Sequence, residues 1–76
     1  MPELPKLAGK EVIQAFERLG FAQVRQRGNH VILKRATPEG GRGCVVPLHR
    51  EVKVGTLRGI LRQADITPDE FLAAMK

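Results

Sequence analysis

The sequence predicts an α+β fold, an α-β-β-β-α sandwich with a short additional C-terminal helix. Two apolar series at helical spacing carry this reading: Val12, Ile13, Phe16 and Leu19, then Val54, Leu57, Ile60, Leu61 and Ala64. Between them lie three runs of strand character, divided by the turns Gly28-Asn29 and Thr37-Pro38-Glu39-Gly40-Gly41. The third observation is Thr67-Pro68-Asp69-Glu70. It combines a capping threonine, a proline at the first helical position and a glutamate that completes a capping box.

Taken in order, residues 1–8 read as an extended lead-in, in which Pro2 and Pro5 oppose helix. The first helix runs from about Gly9 to Leu19, with Lys10, Glu11, Glu17 and Arg18 in solvent and Gly20 as its stop. Phe21 to Arg27 is a strand, and alternation sends Gln23, Arg25 and Arg27 one way and Ala22, Val24 and Gln26 the other. Gly28-Asn29 turns the chain because both residues tolerate positive φ. His30 to Ala36 is the second strand. Gly43 to Leu48 is a short third one, assigned to a sheet edge by Pro47.

A loop from His49 to Lys53 leads to the second long helix, on which Arg58 and Arg62 form a cationic stripe. Gly55 and Gly59 each cost that helix about 1 kcal/mol relative to alanine. Close packing on the sheet is expected to offset this. Phe71, Leu72 and Met75 give the last helix its apolar face. Helices should cover one face of the sheet and leave the other open, in a single domain over residues 1–76 with no repeat or linker.

A chain of 76 residues buries a thin core, here with three phenylalanines and no tryptophan or tyrosine. No apolar run reaches membrane-spanning length, and Met1 to Lys6 lack the apolar centre of a secretory signal. Cys44 is alone, which excludes an internal disulfide and argues against a cysteine-built zinc site. Together these features point to the cytoplasm. The formal net charge is +5, and the imbalance is local: residues 18–62 hold ten Lys and Arg against Glu39 and Glu51. A cationic middle of this kind suits a polyanion, most simply nucleic acid.

Few groups could carry catalysis. There is no Ser-His-Asp set, HExxH, P-loop or paired carboxylate motif, and the two histidines, His30 and His49, have no metal-ligand spacing. No cofactor is expected. Cleavage of RNA needs little more than a proton carrier and phosphate-neutralising cations, because the substrate supplies its own 2′-hydroxyl nucleophile. Histidine suits the first task and arginine or lysine the second. His30 is the candidate: Arg25, Arg27, Lys34 and Arg35 lie close in sequence, and a hairpin through Gly28-Asn29 sets Arg27 beside it. The competing reading makes His30 a surface residue of a turn. His49 reads as a loop residue, Gly28 as a turn residue and Cys44 as part of the core.

The assembled segments resemble the HicA-type toxins of bacterial toxin–antitoxin systems over nearly the whole chain. The resemblance rests on Leu4 to Glu11, on Leu19-Gly20-Phe21, and on Arg25-Gln26-Arg27-Gly28-Asn29-His30. It continues through Val46-Pro47-Leu48-His49, Gly55 to Ala64, and Ile66-Thr67 through Glu70-Phe71-Leu72. It implies a double-stranded-RNA-binding-like fold and a metal-independent endoribonuclease (an mRNA interferase) acting on mRNA. It also implies a HicB-type antitoxin that binds the toxin and masks its histidine. The family's catalytic histidine falls on His30. Arg25, Arg27, Asn29, Lys34, Arg58 and Arg62 are then the candidate RNA contacts. Asn29 stands where the family usually has serine, which keeps the turn but changes the group beside the histidine. The alternative is a non-cleaving RNA-binding module of the same fold.

Overall fold

The computed structural model describes residues 3–76. The elements are α1 (Gly9–Arg18), β1 (Ala22–Arg27), β2 (His30–Thr37), β3 (Gly40–Pro47), α2 (Val54–Ala64) and α3 (Pro68–Ala74). This is the α+β order expected from the sequence. The strands form one antiparallel sheet in the order β1-β2-β3, so β3, with Pro47, is an edge.

The helices cover one face of this sheet. Val31 and Leu33 of β2, with Cys44 and Val46 of β3, point into the core beside Val12, Ile13 and Phe16 of α1 and Leu57, Ile60, Leu61 and Ala64 of α2. Phe16 is the hub of the aromatic cluster. It meets Phe21 edge-on at 5.1 Å between centroids and Phe71 of α3 at 5.8 Å. Such pairs add about 1 kcal/mol each to the area they bury.

Local chemistry ends each helix as its residues dictate. Phe21 N–H donates to the Phe16 carbonyl and Gly20 N–H to that of Glu17, with Gly20 at φ +95°. These are the two bonds of a Schellman stop. At α3 the Thr67 hydroxyl accepts from Glu70 N–H at 3.1 Å, and the Glu70 carboxylate accepts from Thr67 N–H at 2.9 Å.

The extended lead-in is seen from Glu3 onward, Met1 and Pro2 lying outside the described residues. It buries Leu4 and Leu7, and Leu7 bridges to Val52.

Four expectations change. A bulge between Gln23 and Arg25 interrupts the alternation of β1. Ala22 therefore joins Arg25 and Arg27 on one face, and Gln23 joins Gln26 on the other. In the Gly28-Asn29 turn only Gly28 takes positive φ, at +58°. β3 starts at Gly40 rather than Gly43, because Gly40, Gly41 and Arg42 pair with Thr37, Ala36 and Arg35 of β2. Pairing with a strong neighbour here overrides poor strand propensity. Finally, Gly55 and Gly59 do not pack on the sheet: a β-carbon at either position would meet open space.

Candidate functional site

Cross-strand partners share a face of a sheet. Val31 and Leu33 are 2% and 0% exposed, so the alternate residues His30, Ile32 and Lys34 belong to the open face. Arg27 pairs with His30 and Arg25 with Ile32, which brings both arginines to that face. On the other side His30 pairs with Pro47, Ile32 with Val45 and Lys34 with Gly43. The structure thus gathers Arg25, Arg27, His30 and Lys34, all exposed, on one surface, with Asn29 in the turn at its end.

The hairpin fixes this arrangement. Gly28 supplies the positive φ that a two-residue turn needs at its first position. The Gln26 side-chain amide donates to the Gly28 carbonyl at 3.0 Å. The Asn29 carbonyl accepts from Leu48 N–H. The turn is therefore tied to the strand behind it, and His30 sits on a braced part of the sheet.

Spacing separates the cations. Directly opposed residues lie about 5 Å apart and diagonal neighbours about 7–8 Å, which puts Arg27 and Arg25 within reach of one phosphate at His30. Lys34 is four residues along the same strand, roughly 13 Å away. It is placed for a neighbouring phosphate.

Two expected contributors lie elsewhere. Arg58 and Arg62 line a groove with Leu61, Ile66 and Pro68, between α2 and α3 in the helical layer. They are not brought together with His30. Arg35, close to His30 in sequence, is on the opposite face of β2. Its guanidinium lies 4.9 Å from the Phe21 ring centroid and donates to the Leu19 carbonyl at 3.0 Å. It fastens the sheet to the end of α1. Cys44 is in the core, where burial pushes its thiol up to about 11. A thiol in that state is a poor nucleophile at neutral pH.

Among the described residues no three His, Cys, Asp or Glu side chains converge as metal ligands. No helix among them is long and apolar enough to cross a membrane.

Sequence reasoning passed over one glycine that positions the site. A β-carbon on Gly9 would stand 2.1 Å from the Pro47 carbonyl oxygen, and Gly9 N–H donates to the His49 carbonyl at 2.8 Å. This close approach holds the Pro47-Leu48-His49 segment against the start of α1, behind the His30 turn. The one signal in the sequence was a glycine in the first turn of a helix, where its low helix propensity calls for another reason to be there.

A family described as "HicA toxin of bacterial toxin-antitoxin" matches residues 9–66. The chain belongs to this family. The match takes in α1, the whole sheet and α2, and therefore every residue of the HicA open face named above. As a HicA toxin the protein is one half of a toxin–antitoxin pair, and an antitoxin is its partner. No curated protein matches the chain.

Proposed function

We propose that this HicA toxin is a metal-independent endoribonuclease that cleaves mRNA in the cytoplasm, with His30 as its proton-transfer group, and that residues 1–76 act as one toxin domain. The observation that carries the reading is the convergence of His30 with Arg27 and Arg25 on an open, acid-free face of the sheet. The 2′-hydroxyl of a bound nucleotide attacks the adjacent phosphorus, and His30 accepts its proton as the O2′–P bond forms. The P–O5′ bond breaks and the departing 5′-oxygen takes a proton from water, which leaves a 2′,3′-cyclic phosphate and a 5′-hydroxyl, while the His30 imidazolium returns its proton to solvent. Arg27 and Arg25 hold the charge that grows on the phosphate oxygens, the task for which guanidinium geometry is suited. Lys34 holds the next phosphate along. Asn29 lines the turn beside the histidine. The partner is a HicB-type antitoxin that covers this face.

The test is cleavage of a defined oligoribonucleotide by wild type and His30→Ala. Loss of one general acid–base group should slow cleavage by about 10²–10⁴-fold. A single 2′-deoxy substitution at the scissile position should abolish it. Equal cleavage by both proteins removes His30 from the mechanism.

Asn29 favours a second reading. An amide where the family usually has a hydroxyl leaves RNA binding intact and weakens chemistry. Salt-sensitive binding of uncut RNA by wild type, with Asn29→Ser gaining cleavage, would establish that reading.

A further inference from the structure

Beyond the His30 end of the sheet lies a second cationic feature. Ala8, Lys10, Leu48, His49 and Arg50 line a shallow hollow where the start of α1 meets the segment after β3. Its floor is the apolar Ala8 and the partly exposed Leu48; its rim is Lys10, His49 and Arg50, all exposed. No carboxylate is among the lining residues. Two carboxylates border it: Glu11, which accepts from Ala8 N–H at 2.9 Å, and the exposed Glu51, next in the chain to Arg50.

The hollow is firmly placed relative to His30. Pro47 is the cross-strand partner of His30, Leu48 N–H donates to the Asn29 carbonyl, and Gly9 N–H donates to the His49 carbonyl. From His30 across to Pro47 and two residues on to His49 is at most ~12 Å between α-carbons. The hollow and His30 are therefore neighbours at one end of the sheet, within the span of a short stretch of extended strand passing over that end. Lys34 lies in the other direction along β2, so His30 stands between two cationic flanks.

We propose that this hollow is a second phosphate subsite. It would hold a single-stranded RNA backbone on the far side of the scissile phosphate from Lys34, with Lys10 and Arg50 as its charged contacts. The proposal rests on the ribonuclease reading of the His30 face. Its chemistry is that of any phosphodiester backbone: two exposed cations and an imidazole around an apolar floor that a ribose can cover. In-line displacement needs both sides of the reacting phosphate held, and one flank alone leaves the leaving strand free to swing.

Salt dependence tests this without relying on turnover. A labelled single-stranded oligoribonucleotide is titrated with His30→Ala, so that it stays intact. It is then titrated with the same protein carrying Lys10→Ala and Arg50→Ala, at a series of NaCl concentrations. Loss of two phosphate contacts should lower the log–log salt slope by about 1.4. Arg42→Ala in the same background should leave the slope unchanged, since Arg42 pairs with Asp65 at 3.6 Å away from this end. Equal slopes for the triple variant and its His30→Ala parent overturn the subsite. Equal slopes together with weakened antitoxin binding would also overturn it, and assign the hollow to the protein partner. The ribonuclease reading stands or falls separately, on whether wild type cuts RNA and His30→Ala does not.

Discussion

Arg27 and His30 face each other across the Gly28-Asn29 turn, a guanidinium and an imidazole on the open side of the sheet. Arg35, five residues after His30, is on the other side with its charge over the Phe21 ring. Two arginines flanking one histidine in sequence therefore have unlike roles. Arg27→Ala should lower cleavage about 10–100-fold, the loss of one charge-assisted contact, at nearly unchanged stability. Arg35→Ala should do the reverse. It should cost roughly 1–2 kcal/mol of stability through the lost stacking and hydrogen bond and leave cleavage intact wherever the protein is folded. Urea unfolding and oligonucleotide cleavage on the two variants check this together.

Gly9 has no room for a side chain. Its β-carbon position is 2.1 Å from the Pro47 oxygen and 2.9 Å from Leu48 Cα, and backbone atoms cannot move as a flexible side chain would. Gly9→Ala should therefore destabilise by about 3 kcal/mol, the upper range for overpacking. It should also loosen the Leu48 N–H bond to Asn29, visible as faster amide exchange at Leu48.

Gly55 and Gly59 give the opposite result. An added β-carbon at either meets nothing; Gly59 is interior to α2, and Gly55 is the second residue of its first turn. Gly59→Ala should stabilise by about 1 kcal/mol, from helix propensity alone. Gly55→Ala should act in the same direction by less, since it lies in the first turn. The two are i,i+4 neighbours, so the double variant reads any coupling between them. Thermal unfolding of the single and double variants measures it. A loss of stability at either site would show that the glycine serves a contact within the fold.

The cap of α3 sets a small pH dependence. The Glu70 carboxyl is held below the ordinary glutamate value by the backbone N–H of Thr67 and then by the Thr67 side chain. A depressed folded-state value means a contribution present above the unfolded pKa and lost as pH falls through the folded one. The group is exposed, so solvent screening keeps this modest. Thr67→Ala should cost about 1 kcal/mol and move the Glu70 carboxyl titration, followed by NMR, back upward.

Much of this was legible in the residues themselves. Helical spacing at Val12, Ile13 and Phe16 and at Leu57, Ile60, Leu61 and Ala64 is a local consequence of a 3.6-residue period. So is the Thr67-Glu70 box, whose two bonds form within one turn of chain. The Gly28-Asn29 turn was local too, and with it the pairing of Arg27 and His30. What local pattern could not decide was which face of β2 meets water, since Ile32 and Leu33 are equally apolar. The helices decide it by packing on Val31 and Leu33.

The sequence by itself thus determined the elements and their order, and singled out His30 as the candidate. Tertiary structure decided the company that histidine keeps. Packing of the helices on Val31 and Leu33 turns His30, with Arg27 and Arg25 beside it, to the open side. The same packing leaves Arg35, on the other face of β2, over the Phe21 ring, and the α2–α3 groove takes Arg58 and Arg62. The seating of Gly9 against Pro47 holds His49, with Lys10 and Arg50, behind the turn. These are contacts between residues distant in the chain. Their geometry depends on how whole elements pack, which no short-range spacing encodes.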